Sequence, residues 1–265
     1  MTPAIEVSHL VKTFNGLTAV NDLSFRVEPG ELFGFLGPNG AGKTTTINIL
    51  CTLLAPASGA AWVAGYDCLS QPRQVRQSIG IIFQDPSLDE RLTAWENLEF
   101  HGMIYHMPSP LRRRRMEEVL KLVELWDRRH DIVRTFSGGM KRRLEVARGL
   151  MHQPKVLFLD EPTIGLDPQT RRRTWETLEK LRLDRQMTFF LTTHSMEEAS
   201  QCDRVAILDS GRLMALDSPQ KLVLQHGAKN LEEVFLSLTG RGLRDDSVSE
   251  AEMMRTMVRR LRRWR

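Results

Sequence analysis

Gly37-Pro38-Asn39-Gly40-Ala41-Gly42-Lys43-Thr44-Thr45 decides how this 265-residue chain is read. The stretch fits G-x-x-x-x-G-K-[ST], with an apolar strand at residues 31–37 before it and helical sequence at 43–54 after it. Glycines let successive backbone N–H groups converge on one anion without a Cβ in the way. The helix that follows points its partly positive N-terminus at the same anion. Lys43 would pair with β- and γ-phosphate charge, and the Thr44 hydroxyl would sit on Mg²⁺. Strand, loop and helix together predict nucleoside triphosphate binding and the opening unit of a parallel α/β sheet.

Outward from that loop, residues 1–30 carry short apolar pieces broken by Asn15-Gly16 and Pro29-Gly30, the pattern of a small antiparallel sheet. Further strands are predicted at 79–83, 156–160, 187–192 and 205–208, with helices at 168–183 and 196–201. Between residues 93 and 151 the character is helical, with Met116, Val119, Leu120 and Val123 at i, i+3, i+4 and i+7. The fold class is therefore α/β: a parallel core with an N-terminal antiparallel β subdomain and a helical insert subdomain, an arrangement that resembles a P-loop NTPase (RecA-like) core. We place the nucleotide-binding domain at 1–240, the insert at about 85–151 and a basic tail at 241–265.

Composition excludes little. Hydrophobic residues make up 41% and charged residues 26% of the chain, enough to build a core, and the net charge of +4 suits a polyphosphate, an anionic lipid or a nucleic acid equally. Cys51, Cys68 and Cys202 lack metal-ligand spacing and read as packed, reduced thiols. A membrane span needs about 20 apolar residues, and no such run occurs; nor does the start of the sequence read as a secretory signal. A membrane role would have to come through a partner.

Val156-Leu157-Phe158-Leu159-Asp160-Glu161 is an apolar strand ending in two carboxylates. A buried parallel strand delivers its last residues to the edge where ligands bind. Asp160 suits Mg²⁺, a hard cation that prefers oxygen, and Glu161 could polarise the attacking water. Capping of the turn at Pro162-Thr163 is the bland alternative, outweighed once a phosphate loop needing Mg²⁺·ATP lies in the same chain.

In their order these motifs resemble the ATP-binding cassette (ABC) family over residues 4–240. Phe136-Ser137-Gly138-Gly139-Met140-Lys141-Arg142-Arg143 is similar to the family's signature motif. Physically it is a second helix N-terminus with a hydroxyl, an N-cap by itself. The resemblance implies that Ser137, Gly138 and Gly139 bind the γ-phosphate of ATP held by the opposite subunit. Gln84 resembles the glutamine hinge that touches Mg²⁺ and water. Asp167 resembles the aspartate that crosses the dimer interface, and it also reads as an N-cap ahead of Pro168. His194 resembles the switch histidine, able to bond phosphate through one nitrogen and a carboxylate or carbonyl through the other. Phe14 resembles the aromatic that stacks on adenine, or else is a core residue.

What the resemblance implies is an ATPase using ATP and Mg²⁺. Glu161, His194, Gln84 and Lys43 would carry hydrolysis, and Thr44, Gln84 and Asp160 would hold the metal. Nucleotide would lie along Gly37, Asn39, Gly40, Ala41, Gly42, Lys43, Thr44 and Thr45. Two copies would close around ATP and drive separate transmembrane permease subunits from the cytoplasmic face of the membrane. A fused exporter would carry its own spans, a translation factor two cassettes, and a repair ATPase a far longer gap between residues 84 and 137. Ser137 to Arg143 with Met140 after the glycines, Thr93 to Leu98 and Leu231 to Gly240 are similar to the drug, polysaccharide and lipid export subfamily often called ABC-2, from which Trp95 departs. The rival is a soluble ATPase of the same family acting on nucleic acid or ribosomes; insert length and Gln84 disfavour it. The arginine runs at 112–115 and 171–173 read as solvated helix faces. In the tail, Met254, Met257, Val258, Leu261 and Trp264 recur at helical spacing among arginines. That reads either as a helix resting on anionic lipid or the permease, or as a frayed end.

Overall fold

The computed structural model describes residues 2–83, 87–162, 168–185 and 187–240. Asn15 and Gly16 both take positive φ, 47° and 85°, as a two-residue hairpin turn of type I′ requires. They fold β1 (Ile5–Phe14) back on β2 (Leu17–Val27). The next strand, β3 (Leu32–Leu36), is buried throughout and leads through the glycine loop into α1 (Lys43–Leu50). That helix stops short of the predicted residue 54. Thr52 takes φ 61°, and the amides of Leu53 and Leu54 turn back to the Asn48 carbonyl.

β4 (Ser58–Val63) and β5 (Tyr66–Asp67) join the first hairpin in an antiparallel sheet ordered β2-β1-β4-β5. After α2 (Pro72–Ser78) and β6 (Ile79–Ile82) come three helices: α3 (Ala94–Ile104), α4 (Ser109–Leu122) and α5 (Gly138–Gly149). The chain then returns through β7 (Val156–Asp160), α6 (Pro168–Arg185), β8 (Thr188–Thr193), α7 (Met196–Ser200), β9 (Arg204–Asp209) and β10 (Arg212–Asp217). It closes with α8 (Pro219–Gln225) and α9 (Leu231–Thr239). The second sheet runs β10-β9-β3-β8-β7-β6, parallel except for β10.

Alternation along the parallel strands separates two cores. Phe33, Phe35, Phe158 and Phe190 face the antiparallel sheet, where Phe25 joins their ring cluster. Leu32, Leu36, Leu157, Leu159, Phe189 and Leu191 face the helices. Burial on both faces is why these strands read as continuous apolar runs.

Helix α3 starts at a reciprocal cap in which the Thr93 side chain accepts from the Glu96 amide and the Glu96 side chain accepts from the Thr93 amide. On α4, Met116, Val119 and Leu120 are buried, and so is Val123 just beyond. Two members of the 112–115 arginine run are not solvated as expected: the Arg112 side chain is 14% exposed and donates to the Met107 carbonyl, and Arg115 lies deeper. Arg115 is 2% exposed, with its guanidinium on the carbonyls of Leu150 and Met151 at the end of α5. Helix carbonyls without intrahelical partners provide the acceptors that draw it inward.

Candidate nucleotide site

Adjacent strands set the site. Leu36 of β3 pairs with Thr193 of β8, and Thr192 pairs with Asp160 of β7. The glycine loop, the carboxylates after β7 and His194 after β8 therefore leave one sheet at the same edge, where ligands bind in such sheets.

The loop's glycines divide into two kinds. Gly42, the α1 N-cap, takes φ 95°, and a Cβ there would lie 2.4 Å from the Ala19 carbonyl oxygen of β2. Gly40 takes φ 79° with nothing within 4 Å of a Cβ, so its outer side is open. Lys43 is buried, its Nζ donating to the carbonyls of Gly37 at 2.6 Å and Pro38 at 3.0 Å. Its charge thus sits inside the loop. Asn39 and Thr44 are exposed, Thr45 is half-buried and Ala41 is buried.

Asp160 is 8% exposed and accepts a hydrogen bond from the Thr192 hydroxyl. Burial pushes its carboxyl above the ordinary range; the Thr192 bond opposes this, the Glu161 charge adds to it, and Lys43 and Arg142 pull it down. Glu161 stands at φ 47°, its amide 3.2 Å from both the carbonyl and the hydroxyl oxygen of Thr192. A non-glycine residue in that region is held there by its surroundings. His194 Nδ1 lies 3.2 Å from Glu161 Oε1. That contact holds the Glu161 carboxyl below its usual range and the His194 imidazole above its own.

A family model for the ABC transporter matches residues 20–164. The chain is 45% identical over 215 residues to the daunorubicin/doxorubicin resistance ATP-binding protein DrrA of Streptomyces peucetius, covering 81% of this chain and 65% of that protein. It is 39% identical over 234 residues to the linearmycin resistance ATP-binding protein LnrL of Bacillus subtilis, covering 88% and 75%. The chain belongs to the ABC transporter family, as an ATPase.

Solved ABC structures carry the same fold. The ATP binding subunit of an ABC transporter superposes with TM-score 0.80 at 30% identity, over 89% of this chain and 99% of that one. The dimeric post-hydrolysis ATP-binding cassette MJ0796, bound to ADP and Pi, gives 0.73 at 27% identity, over 81% and 98%. Against DrrA, this ABC chain spans just under two thirds of the relative's length.

Elsewhere in the ABC chain, Ser137 caps α5 by accepting from the Met140 amide at 3.2 Å, and Ser137 and Gly138 are exposed. Among the described residues no hydrogen bond joins Ser137, Gly138 or Gly139 to the 37–45 loop. Phe14 is 44% exposed, which removes the core reading; the Lys12 ammonium lies 5.1 Å from its ring centre. Gln84 and Asp167, and the tail 241–265, lie outside the described residues.

A Mg²⁺ ion fits the donors that are described. Asp160 and Glu161 bring paired negative charge to the strand end, and Thr44 offers a hydroxyl at the first turn of α1. Mg²⁺ needs only one or two protein oxygens when phosphates and water complete its shell. Two residues the sequence reading passed over also build the site. Thr192 ties Asp160 to the Glu161 amide, and its signal was a polar end to the apolar strand Phe189-Phe190-Leu191. Arg142, within the motif at 137–143, donates to the carbonyls of Pro162 and Phe83.

Proposed function

We propose that two copies of this ATPase close on ATP and drive a separate transmembrane permease, moving substrate outward. The observation that carries this is the separation of two anion-binding ends. The 37–45 loop lies at the sheet edge, whereas the Ser137-capped end of α5 is exposed and unbonded to it. In this reading the α5 end of one copy completes the nucleotide held by the other.

Hydrolysis then needs charge neutralisation and an aligned water rather than a covalent intermediate. Lys43 and the loop amides hold the β- and γ-phosphates. Thr44 and Asp160, with Gln84 by its place in the motif order, hold Mg²⁺, which when bound neutralises phosphate charge. Glu161 orients the water and draws its proton. His194, kept in place by Glu161, bonds the γ-phosphate through its other nitrogen, and Asp167 crosses to the second copy. Phe14, exposed at the hairpin end, stacks on adenine.

A partner surface supports the permease half of the reading. Phe100, Met103 and Ile104 form an i, i+3, i+4 stripe on α3, each more than half exposed. Among the described residues no helix is long and apolar enough to cross a membrane. Export rather than import is supported by the relatives' names: DrrA and LnrL are resistance proteins, and the Ralstonia nicotianae relative is a Nod factor export protein. The stripe is apolar rather than basic, which favours a membrane partner over nucleic acid.

The test is a Glu161→Gln chain on a sizing column with and without Mg²⁺·ATP. We expect an ATP-dependent dimer that hydrolyses poorly, and a Ser137→Arg change that abolishes it. A monomer that cannot self-associate yet hydrolyses ATP at the full rate would refute the shared site.

A further inference from the structure

Helix α5 does more than present Ser137. Three side chains at i, i+3 and i+6 on it, Arg142, Glu145 and Arg148, point into the protein, where they bond to the segments that follow β6 and β7 and pair with one another. Arg142 Nε donates to the Pro162 carbonyl at 2.7 Å, one residue beyond Glu161, while its Nη1 donates to the Phe83 carbonyl at the end of β6. Glu145 Oε1 accepts from the Ser87 amide at 2.7 Å. Arg148 Nη1 donates to the Ser87 carbonyl at 2.7 Å, and its Nη2 lies 3.2 Å from Glu145 Oε1. Arg142 is 5% exposed and Glu145 wholly buried.

We infer that Arg142, backed by Glu145 and Arg148, is a positioning residue that ties the helix starting at Ser137 to the turn carrying Glu161. The inference rests on the proposed role of Glu161 in aligning water. Three features support it. The Glu161 turn stands at φ 47°, a conformation that needs outside support. A planar guanidinium reaches two carbonyls at fixed spacing, so one group fixes the ends of β6 and β7 relative to each other. Burying a charge this deeply is costly, and Arg142 Nη2 and Glu145 Oε2 lack hydrogen-bond partners among the described residues. A purely structural strap would be cheaper as packed apolar side chains.

The consequence is a mechanical link between two nucleotides. Ser137 meets the nucleotide of the opposite copy, and the same rigid helix places Glu161 over the nucleotide of its own. Docking at one site therefore adjusts water alignment at the other. Arg142 touches no substrate, so its loss should act on turnover and spare binding.

Arg142→Gln and Arg142→Lys decide the matter through steady-state hydrolysis of Mg²⁺·ATP and binding of mant-ATP, with Glu161→Gln alongside. In Arg142→Gln we expect kcat to fall by about tenfold to a hundredfold, the scale of a slightly misplaced reacting group. KM and the mant-ATP Kd should stay within about twofold of the parent. Arg142→Lys, reaching one carbonyl instead of two, should recover part of kcat; if the glutamine variant does not fold, the lysine variant carries the same split. Parent-like kcat in Arg142→Gln overturns the inference, as does a parallel loss of binding and turnover in both variants. A Glu161→Gln chain that hydrolyses at the full rate instead refutes the role of Glu161, a result read independently of the Arg142 variants.

Discussion

His194 Nδ1 and Glu161 Oε1 lie 3.2 Å apart across the ends of two neighbouring parallel strands, and each holds the other in its charged form. Glu161 is lowered from 4.5 chiefly by the His194 hydrogen bond. Its contribution is present above that value and is lost as pH falls through the lowered pKa. His194 is raised from 6.5 chiefly by the Glu161 hydrogen bond. Its contribution is complete below 6.5 and is lost as pH rises through the raised pKa. The contact is therefore an ion pair across the interval between those values and beyond it on both sides.

Titration of the His194 ring by NMR should give a midpoint above 6.5 in the nucleotide-free chain. Glu161→Gln removes the anion and should bring the midpoint down. An identical midpoint in the two proteins would mean that the carboxylate does not govern this imidazole.

Gly40 and Gly42 have the same sign of φ but different surroundings, and that difference predicts unequal damage. An alanine at Gly40 meets open space and should cost only the left-handed backbone penalty, about 1–2 kcal/mol. At Gly42 the new Cβ would also lie 2.4 Å from the Ala19 carbonyl oxygen, which belongs to a strand and cannot retreat. Urea unfolding of the nucleotide-free variants should rank Gly42→Ala as the more destabilised. Equal losses would show that β2 yields to the loop.

How far the sequence carries this molecule depends on the range of the forces involved. The phosphate loop, the carboxylates after β7 and the period of Met116, Val119, Leu120 and Val123 are local patterns, and they are legible because φ freedom, strand burial and helix repeat act within a few residues. β4 was not predicted, since Ser58-Gly59-Ala60-Ala61-Trp62-Val63 has weak strand character and is held by pairing with β1. Arg115 and Arg142 were equally illegible as buried groups. Their acceptors are carbonyls 35 and 20 residues away, at a helix end and a turn whose positions only the packed fold defines.

The three cysteines should be inert in the folded chain. Cys51, Cys68 and Cys202 are all buried, and loss of solvent raises each thiol, Cys68 to about 12. Only the thiolate alkylates readily. Iodoacetamide at about pH 8 should leave the native protein unlabelled and label all three cysteines after unfolding. Rapid labelling of the native state would show that at least one thiol is open to solvent.

Arg115 makes a sharper test of where buried charge matters. Its Nη2 donates to the Leu150 carbonyl at 2.8 Å and its Nε to the Met151 carbonyl at 3.2 Å, and its Nη1 pairs with Glu118. Arg115→Met keeps much of the volume but removes the donors, leaving the Met151 carbonyl without its Arg115 bond and the Leu150 carbonyl with the Gln153 amide alone. An unsatisfied buried acceptor costs about 1–3 kcal/mol, so the unfolding midpoint in urea should drop clearly. Arg113, two residues away on the same helix, is exposed, and Arg113→Met should change stability by no more than about 0.5 kcal/mol. Similar losses at both positions would mean that the run acts through its charge alone, and the capping of α5 by Arg115 would have to be abandoned.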